Sequence, residues 1–217
     1  MRTSYLAVLF DLDGTLIDST AAVRRAWRRW AVEEGVDVRR LAGMSGKPAK
    51  RIVADLLPPD RFDAALARYT HIATHDLDGV VVLPGAAEAL RATGDRRAIV
   101  TSSSRDVTVA RMAATGLRPP AVVVTAEDVP RGKPDPAAYL LGARLLGVPP
   151  ARCLVVEDTT VGVAAGRAAG CTVLAVGGTV PVGPDGPHFA VEDLSAVRFD
   201  TTPGEVVVTY PDRLAAA

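Results

Sequence analysis

The most constraining feature of this chain is an unbroken apolar run, residues 5–10 (YLAVLF), that stops on Asp11. Apolar runs without alternation belong to strands covered on both faces, as in parallel sheets. Four later runs share the pattern: 97–101 (RAIVT), 121–125 (AVVVT), 153–156 (CLVV) and 172–176 (TVLAV). Helical segments stand between them at 86–93, 105–115, 136–146 and 159–169, the last two followed by Gly147 and Gly170. Ser103 and Asp106, three apart, suit a cap for the second of these helices. Strands alternating with helices predict an α/β protein with right-handed crossovers and a doubly wound parallel sheet. Gly162, Gly166 and Gly170 recur every four residues, which predicts close packing of their helix on that sheet. Near the C-terminus, 206–208 predicts an edge strand.

The connection between the first and second runs is too long for a crossover. Within it, residues 20–34 place Val23, Ala26, Trp27, Trp30 and Ala31 on one helical face, with Arg24, Arg25, Arg28 and Arg29 largely outside it, and stop near Gly35. Segments 48–57 and 61–76 also read as helices, the latter carrying Phe62, Ala65, Leu66, Tyr69 and Ile72. The prediction is a small helical cap domain at 19–78, inserted after the first strand of a core made of 1–18 and 79–217.

Composition narrows the partners. The 25 Lys and Arg balance 25 Asp and Glu, which gives no general pull toward nucleic acid or an anionic membrane. Apolar residues at 48% and charged residues at 23% exclude a disordered chain. Two cysteines, Cys153 and Cys171, make no disulfide framework or metal pattern. No apolar run approaches the ~18 residues of a membrane span, and the N-terminus does not read as a secretion signal. The expectation is a cytoplasmic monomer. The 22 Arg against three Lys, Lys47, Lys50 and Lys133, make each Lys a candidate for a role that Arg does not fill.

The strand ends carry the chemistry. The first ends in Asp11-Leu12-Asp13-Gly14-Thr15, the second in Thr101-Ser102-Ser103; Gly132-Lys133-Pro134 follows the third, and the fourth ends in Glu157-Asp158. Each string alone is also an ordinary turn, cap or helix start. Together they gather on the carboxyl edge of the sheet, where open α/β folds bind ligands. Crowded carboxylates there call for a cation, and all-oxygen ligation suits Mg²⁺. With Lys133, the cation neutralises a bound phosphate, Thr101 and the Ser102 N–H bond its oxygens, and a carboxylate attacks phosphorus. Asp13 suits acid and base work if the turn at Gly14 brings both aspartates into the cleft.

These strings also carry a resemblance. DLDGTLIDS at 11–19, IVTSSS at 99–104, RGKPDP at 131–136 and VVEDTTVGVAAGRAAG at 155–170 resemble, in order, the four motifs of the haloacid dehalogenase-like hydrolase superfamily. The resemblance implies a Rossmann-like core whose cap domain follows the first strand. It implies Asp11 as the nucleophile forming an aspartyl-phosphate. Asp13 would be the acid and then the base, its backbone carbonyl on Mg²⁺. Thr101 and Ser102 would bind phosphate, and Lys133 would steady Asp11 and the phosphate. Asp158 would ligate the metal, with Glu157 a direct or water-mediated ligand. Segment 19–35 resembles sugar-phosphate and polyol-phosphate phosphatases of the superfamily. The loop 43–48 would then bring Lys47 to a hydroxyl-rich or anionic substrate; a solvated Lys fits that position equally. The activity implied is release of phosphate from a small phosphorylated metabolite. A sugar-phosphate mutase similar to beta-phosphoglucomutase and a non-enzymatic phospho-acceptor switch are the alternatives. Such mutases carry a cap histidine five residues beyond the last aspartate of the first motif. Here that position is Val23, expected on the buried face of its helix.

Overall fold

The computed structural model describes residues 1–43, 46–181 and 183–211. Met44 and Ser45 of the loop considered above lie outside the described residues. In chain order the elements are β1 (Arg2–Tyr5), β2 (Ala7–Phe10), β3 (Ile17–Asp18), α1 (Thr20–Glu34), α2 (Ala49–Leu56), α3 (Phe62–His75), β4 (Val81–Val82), α4 (Ala86–Ala92) and β5 (Arg97–Val100). There follow α5 (Arg105–Thr115), β6 (Val122–Val124), α6 (Ala137–Leu145), β7 (Cys153–Glu157), α7 (Thr160–Ala168), β8 (Thr172–Ala175), β9 (Phe189–Ala190), β10 (Arg198–Thr202) and β11 (Glu205–Thr209).

Six strands form one sheet in the order β6-β5-β2-β7-β8-β9, all parallel. The order reverses between β2 and β7, so their carboxyl ends flank a topological switch point. All four residues of β2 and all five of β7 are buried, which is why they read as plain apolar runs. Gly166 lets α7 approach: a Cβ there would stand 2.9 Å from Val173 Cγ2 and 3.1 Å from Val155 Cγ1.

Two expectations about the strands need correction. The run 5–10 is not one strand. It changes partners at Leu6: Tyr5 lies opposite Val206 in β11, whereas Ala7 lies opposite Cys153 in β7. The run stays apolar across the break because both sheets are covered. Nor is the strand at 206–208 an edge strand. β11 is central in a second, antiparallel sheet of order β1-β11-β10, and Val206, Val208 and Phe199 share a core cluster with Phe10 and Leu12.

Helices α1 to α3 leave and rejoin the rest of the chain through β3 and β4, which pair antiparallel. Their apolar faces meet one another around Trp30, Ile52, Tyr69 and Ile72, joined by Val107 of α5. Trp30 Nε1 donates to the Ala65 carbonyl at 2.8 Å, and Glu34, itself buried, accepts from Arg61 and Arg68. The inward residues of α1 are Ala22, Ala26, Trp30, Ala31 and Glu34. Val23 is therefore half-buried rather than inward, because Ala22 takes the place one turn before Ala26. Among the described residues, no helix is long and apolar enough to cross a membrane.

Candidate active site

β2 and β7 are direct neighbours, with Phe10 opposite Val156, so Asp11 emerges beside Glu157 and Asp158. Lys133 reaches them from the loop after β6. It is buried, and its ammonium donates to Asp11 Oδ1 at 2.5 Å, Glu157 Oε1 at 2.6 Å and the Val100 carbonyl at 3.0 Å. Those three acceptors match the three protons of an ammonium. Tyr139 of α6 completes this layer: its hydroxyl donates to Glu157 Oε1 at 2.8 Å, and Lys133 Nζ stands 4.9 Å from its ring centroid.

Glu157 is fully buried and its second oxygen accepts three bonds, from the N–H of Asp158 and Thr159 and from Thr159 Oγ1. Five donors therefore surround a group with about four lone-pair sites. Glu157 is occupied in orienting Lys133 and the start of α7. Gly162 is required beneath it, because a Cβ there would fall 1.8 Å from Glu157 Oε1.

Asp158 is placed differently. Its Oδ1 is buried and accepts no hydrogen bond among the described residues. Its Oδ2 lies over Gly14, whose φ of +90° and missing Cβ make the close approach of the two turns feasible; a Cβ there would sit 1.9 Å from Oδ2. Oxygens of Asp11, Glu157 and Asp158 all lie within 4.8 Å of one another. Burial, reinforced by the Glu157 charge, pushes the Asp158 carboxyl up to about 7. Burial also raises Asp11 well above the usual carboxylate range, with Glu157 and Asp158 adding to it against the pull of Lys133. Burial opposes the charge on Lys133, but Asp11 and Glu157 outweigh it and hold the ammonium protonated. Three carboxylates thus share one cationic side chain. An orphaned buried carboxylate oxygen in an all-oxygen cluster fits a hard divalent cation.

Asp13 has a separate set of partners. Its Oδ1 accepts from Ser19 Oγ at 2.7 Å and Arg111 Nη1 at 2.8 Å, and its Oδ2 from Ser103 Oγ at 2.8 Å. Ser103 is not the expected helix cap. Ser104 is the residue before α5, one position closer to the helix, and Ser103 turns into the site instead. Thr101 is buried at the end of β5, its Oγ1 accepting from the Ser103 N–H, and Ser102 is half-buried beside it.

The inserted helices lie close to these loops. Lys50 of α2 donates to the carbonyls of Ala126 (2.7 Å) and Val129 (3.3 Å), and a Cβ on Gly132 would meet Pro48. Lys47 is exposed in the same segment, outside the buried cluster.

The structure thus brings together Asp11, Asp13, Lys133, Glu157 and Asp158 on one rim. Ser19 and Ser103, which the sequence placed in its motifs without this role, also belong to it, as do Arg111 and Tyr139, which escaped the sequence reading. Residues 5–170 match the family model for haloacid dehalogenase-like hydrolases. The chain belongs to that family. Among its relatives, hexitol phosphatase A of Escherichia coli (strain K12) is 48% identical over 176 residues, covering 77% of this chain and 81% of that protein. The fructose-1-phosphate phosphatase YqaB of the same organism is 34% identical over 180 residues, covering 78% and 95%. A crystal structure of a hydrolase from Pseudomonas syringae shares the family fold, with a TM-score of 0.77 at 24% identity over 87% of this chain and 94% of that one.

Proposed function

We propose that this protein is an Mg²⁺-dependent phosphatase of small phosphomonoesters, sugar or polyol phosphates, that works through an aspartyl-phosphate on Asp11. The observation that carries this reading is the contrast between two aspartates two residues apart. Asp11 is tied to the Lys133 ammonium beside Glu157 and Asp158, whereas Asp13 is held by two hydroxyls and a guanidinium. Differing surroundings divide a carboxylate pair into different roles. Relatives named for hexitol and fructose-1-phosphate substrates support the substrate class.

In the first half-reaction an Asp11 oxygen bonds to phosphorus, the ester P–O bond breaks, and Asp13 gives a proton to the departing oxygen. In the second, water gives a proton to Asp13 and attacks phosphorus, the P–O bond to Asp11 breaks, and phosphate leaves. Lys133 keeps Asp11 oriented and offsets charge on the phosphate. The Thr101 hydroxyl and the Ser102 N–H hold phosphate oxygens. Asp11, Asp158 and the backbone carbonyl of Asp13 would hold Mg²⁺, with Glu157 acting mainly through the groups it orients. When bound, the ion supplies positive charge against the phosphate dianion. Residues 19–78 act as a cap hinged at β3 and β4, with Lys47 on its substrate side.

Exhaustive chelation should abolish turnover. The metal should also show in stability. The folded pKa of Asp158, about 7, lies above the value of ~3.9 for a free Asp. A group raised in this way stabilises the fold below its unfolded pKa and loses that contribution as pH rises through its folded pKa. The cation-free protein therefore loses stability between about pH 4 and pH 7 through this group, and added Mg²⁺ should raise Tm more at pH 8 than at pH 5. Equal shifts would remove the ion from this cluster.

The second test is product analysis. A mutase must keep water from its phosphoenzyme, and Val23, without a proton to exchange, offers no help in doing so. Incubation with β-glucose 1-phosphate and a trace of the bisphosphate, beside a panel of sugar and polyol phosphates, should give mainly inorganic phosphate. Glucose 6-phosphate forming much faster than phosphate would replace this reading with the mutase.

A further inference from the structure

Arg111 is 2% exposed, on the inner face of α5 with Val107, Thr108 and Met112. A guanidinium withdrawn from water this far is costly unless it is paired. Its pair is Asp13: Nη1 donates to Asp13 Oδ1 at 2.8 Å and to Ser103 Oγ at 3.2 Å, while Nε is buried without a partner among the described residues. Tyr69 of α3 closes over it, its hydroxyl interacting with the guanidinium and its ring stacked on Trp27 of α1 with centroids 3.8 Å apart.

We propose that Arg111 is a positioning residue for the acid–base aspartate, fixing Oδ1 of Asp13 so that Oδ2 is the oxygen that gives and takes the proton. The inference rests on the reading of Asp13 as acid and base. Oδ1 receives two donors, and one of them, the guanidinium, has no acceptor capacity, so a proton on Oδ1 would face another hydrogen. Oδ2 receives Ser103 Oγ, a hydroxyl that donates to the carboxylate and accepts from the carboxylic acid. Both charge states of Asp13 therefore keep the same partners and the same orientation. As the bond from Asp11 to phosphorus forms and the ester P–O bond breaks, the proton passes from Oδ2 to the departing oxygen. As water attacks, Oδ2 takes the proton back. The grip is also shared between the two parts of the molecule. Ser19 opens the inserted segment and Ser103 and Arg111 come from the rest, so Asp13 has all three partners only when the two parts are together, and Tyr69 of the inserted helices meets the guanidinium.

The test compares leaving groups. An alkoxide needs a proton to depart, whereas p-nitrophenolate departs without one. We would measure kcat/KM on p-nitrophenyl phosphate and on an alkyl ester, glycerol 1-phosphate or sorbitol 6-phosphate, for the wild type, Arg111→Met, Arg111→Lys and Asp13→Ala. Arg111→Met should lower the alkyl value by ~10²-fold and the aryl value much less, raising the aryl-to-alkyl ratio by about 10-fold or more. Arg111→Lys should recover part of that ratio, and Asp13→Ala should move it further in the same direction. Both substrates are read in one sample, so loss of folded protein cancels in the ratio. If Asp13→Ala raises the ratio and Arg111→Met lowers both activities equally, Arg111 is merely structural and the proposal is overturned. If Asp13→Ala leaves the ratio unchanged, the acid–base reading fails and takes this proposal with it.

Discussion

Asp11→Asn should lower kcat by about 10³-fold or more and leave a folded protein. The amide keeps the shape of the carboxylate and still offers an oxygen to Lys133, but it cannot form the acyl phosphate. Folding should survive because the ammonium keeps Glu157 and the Val100 carbonyl. One of three crowded carboxylates has also been discharged, so Tm without metal should be no lower than in the wild type. Steady-state kinetics and thermal unfolding on one preparation check both halves. Near-normal turnover would exclude the covalent mechanism.

Lys133 should show an equally large effect, on stability as well as on rate. Lys133→Met leaves Glu157 and Asp11 buried without their cation, and breaking a buried ion pair from one side costs about 3–5 kcal/mol. Lys133→Arg keeps the charge and should still fail. Three acceptors converge on one ammonium from Asp11, Glu157 and Val100, above the ring of Tyr139. A planar guanidinium directs its protons into one plane and needs a wider slot. The expectation is a fall in kcat of about 10²-fold or more, with a lower Tm, because the group orients the nucleophile and its charge alone does not suffice. Wild-type kcat in Lys133→Arg would show that charge alone matters there.

Much of this architecture was legible because burial on both faces erases alternation. β2, β5, β7 and β8 read as apolar runs, and motif residues sit at the ends of the first three. The helix α1 was legible to the residue because Gly35 adopts φ +69° where the helix stops. Other features were hidden for physical reasons. Nothing local marks the change of sheet at Leu6, since Tyr5 and Ala7 are both buried. The hairpin of β10 and β11 covers the core around Phe10, but a two-sided polar and apolar pattern at that distance names no partner. Arg111 is one of the chain's 22 arginines, and its partner lies 98 residues away. Ser103 looked like a cap because it precedes a helix. Only the turn into the site, which depends on Asp13 being there, separates the two uses. Tyr139 is a core residue with one polar atom that finds Glu157, and nothing in its local sequence separates it from an ordinary buried aromatic.

The long reach of these contacts bears on how the protein comes into being. Asp11 is made almost first, yet the lysine that orients it follows 122 residues later, and the carboxylates at its side later still. β1 waits longer, since its partner β11 is the last strand described. Strand pairing over such distances is slow, because the intervening loop must close before any contact rewards it. While the ribosome is still at work, the emerging chain therefore carries Asp11, the nucleophile of the proposed mechanism, without the groups that surround it in the fold. The inserted helices, which pack largely on one another, have time to form first. On the proposed mechanism, competence waits for Lys133, Glu157 and Asp158 to join Asp11, so a chain truncated before Lys133 should release no phosphate from phosphomonoesters.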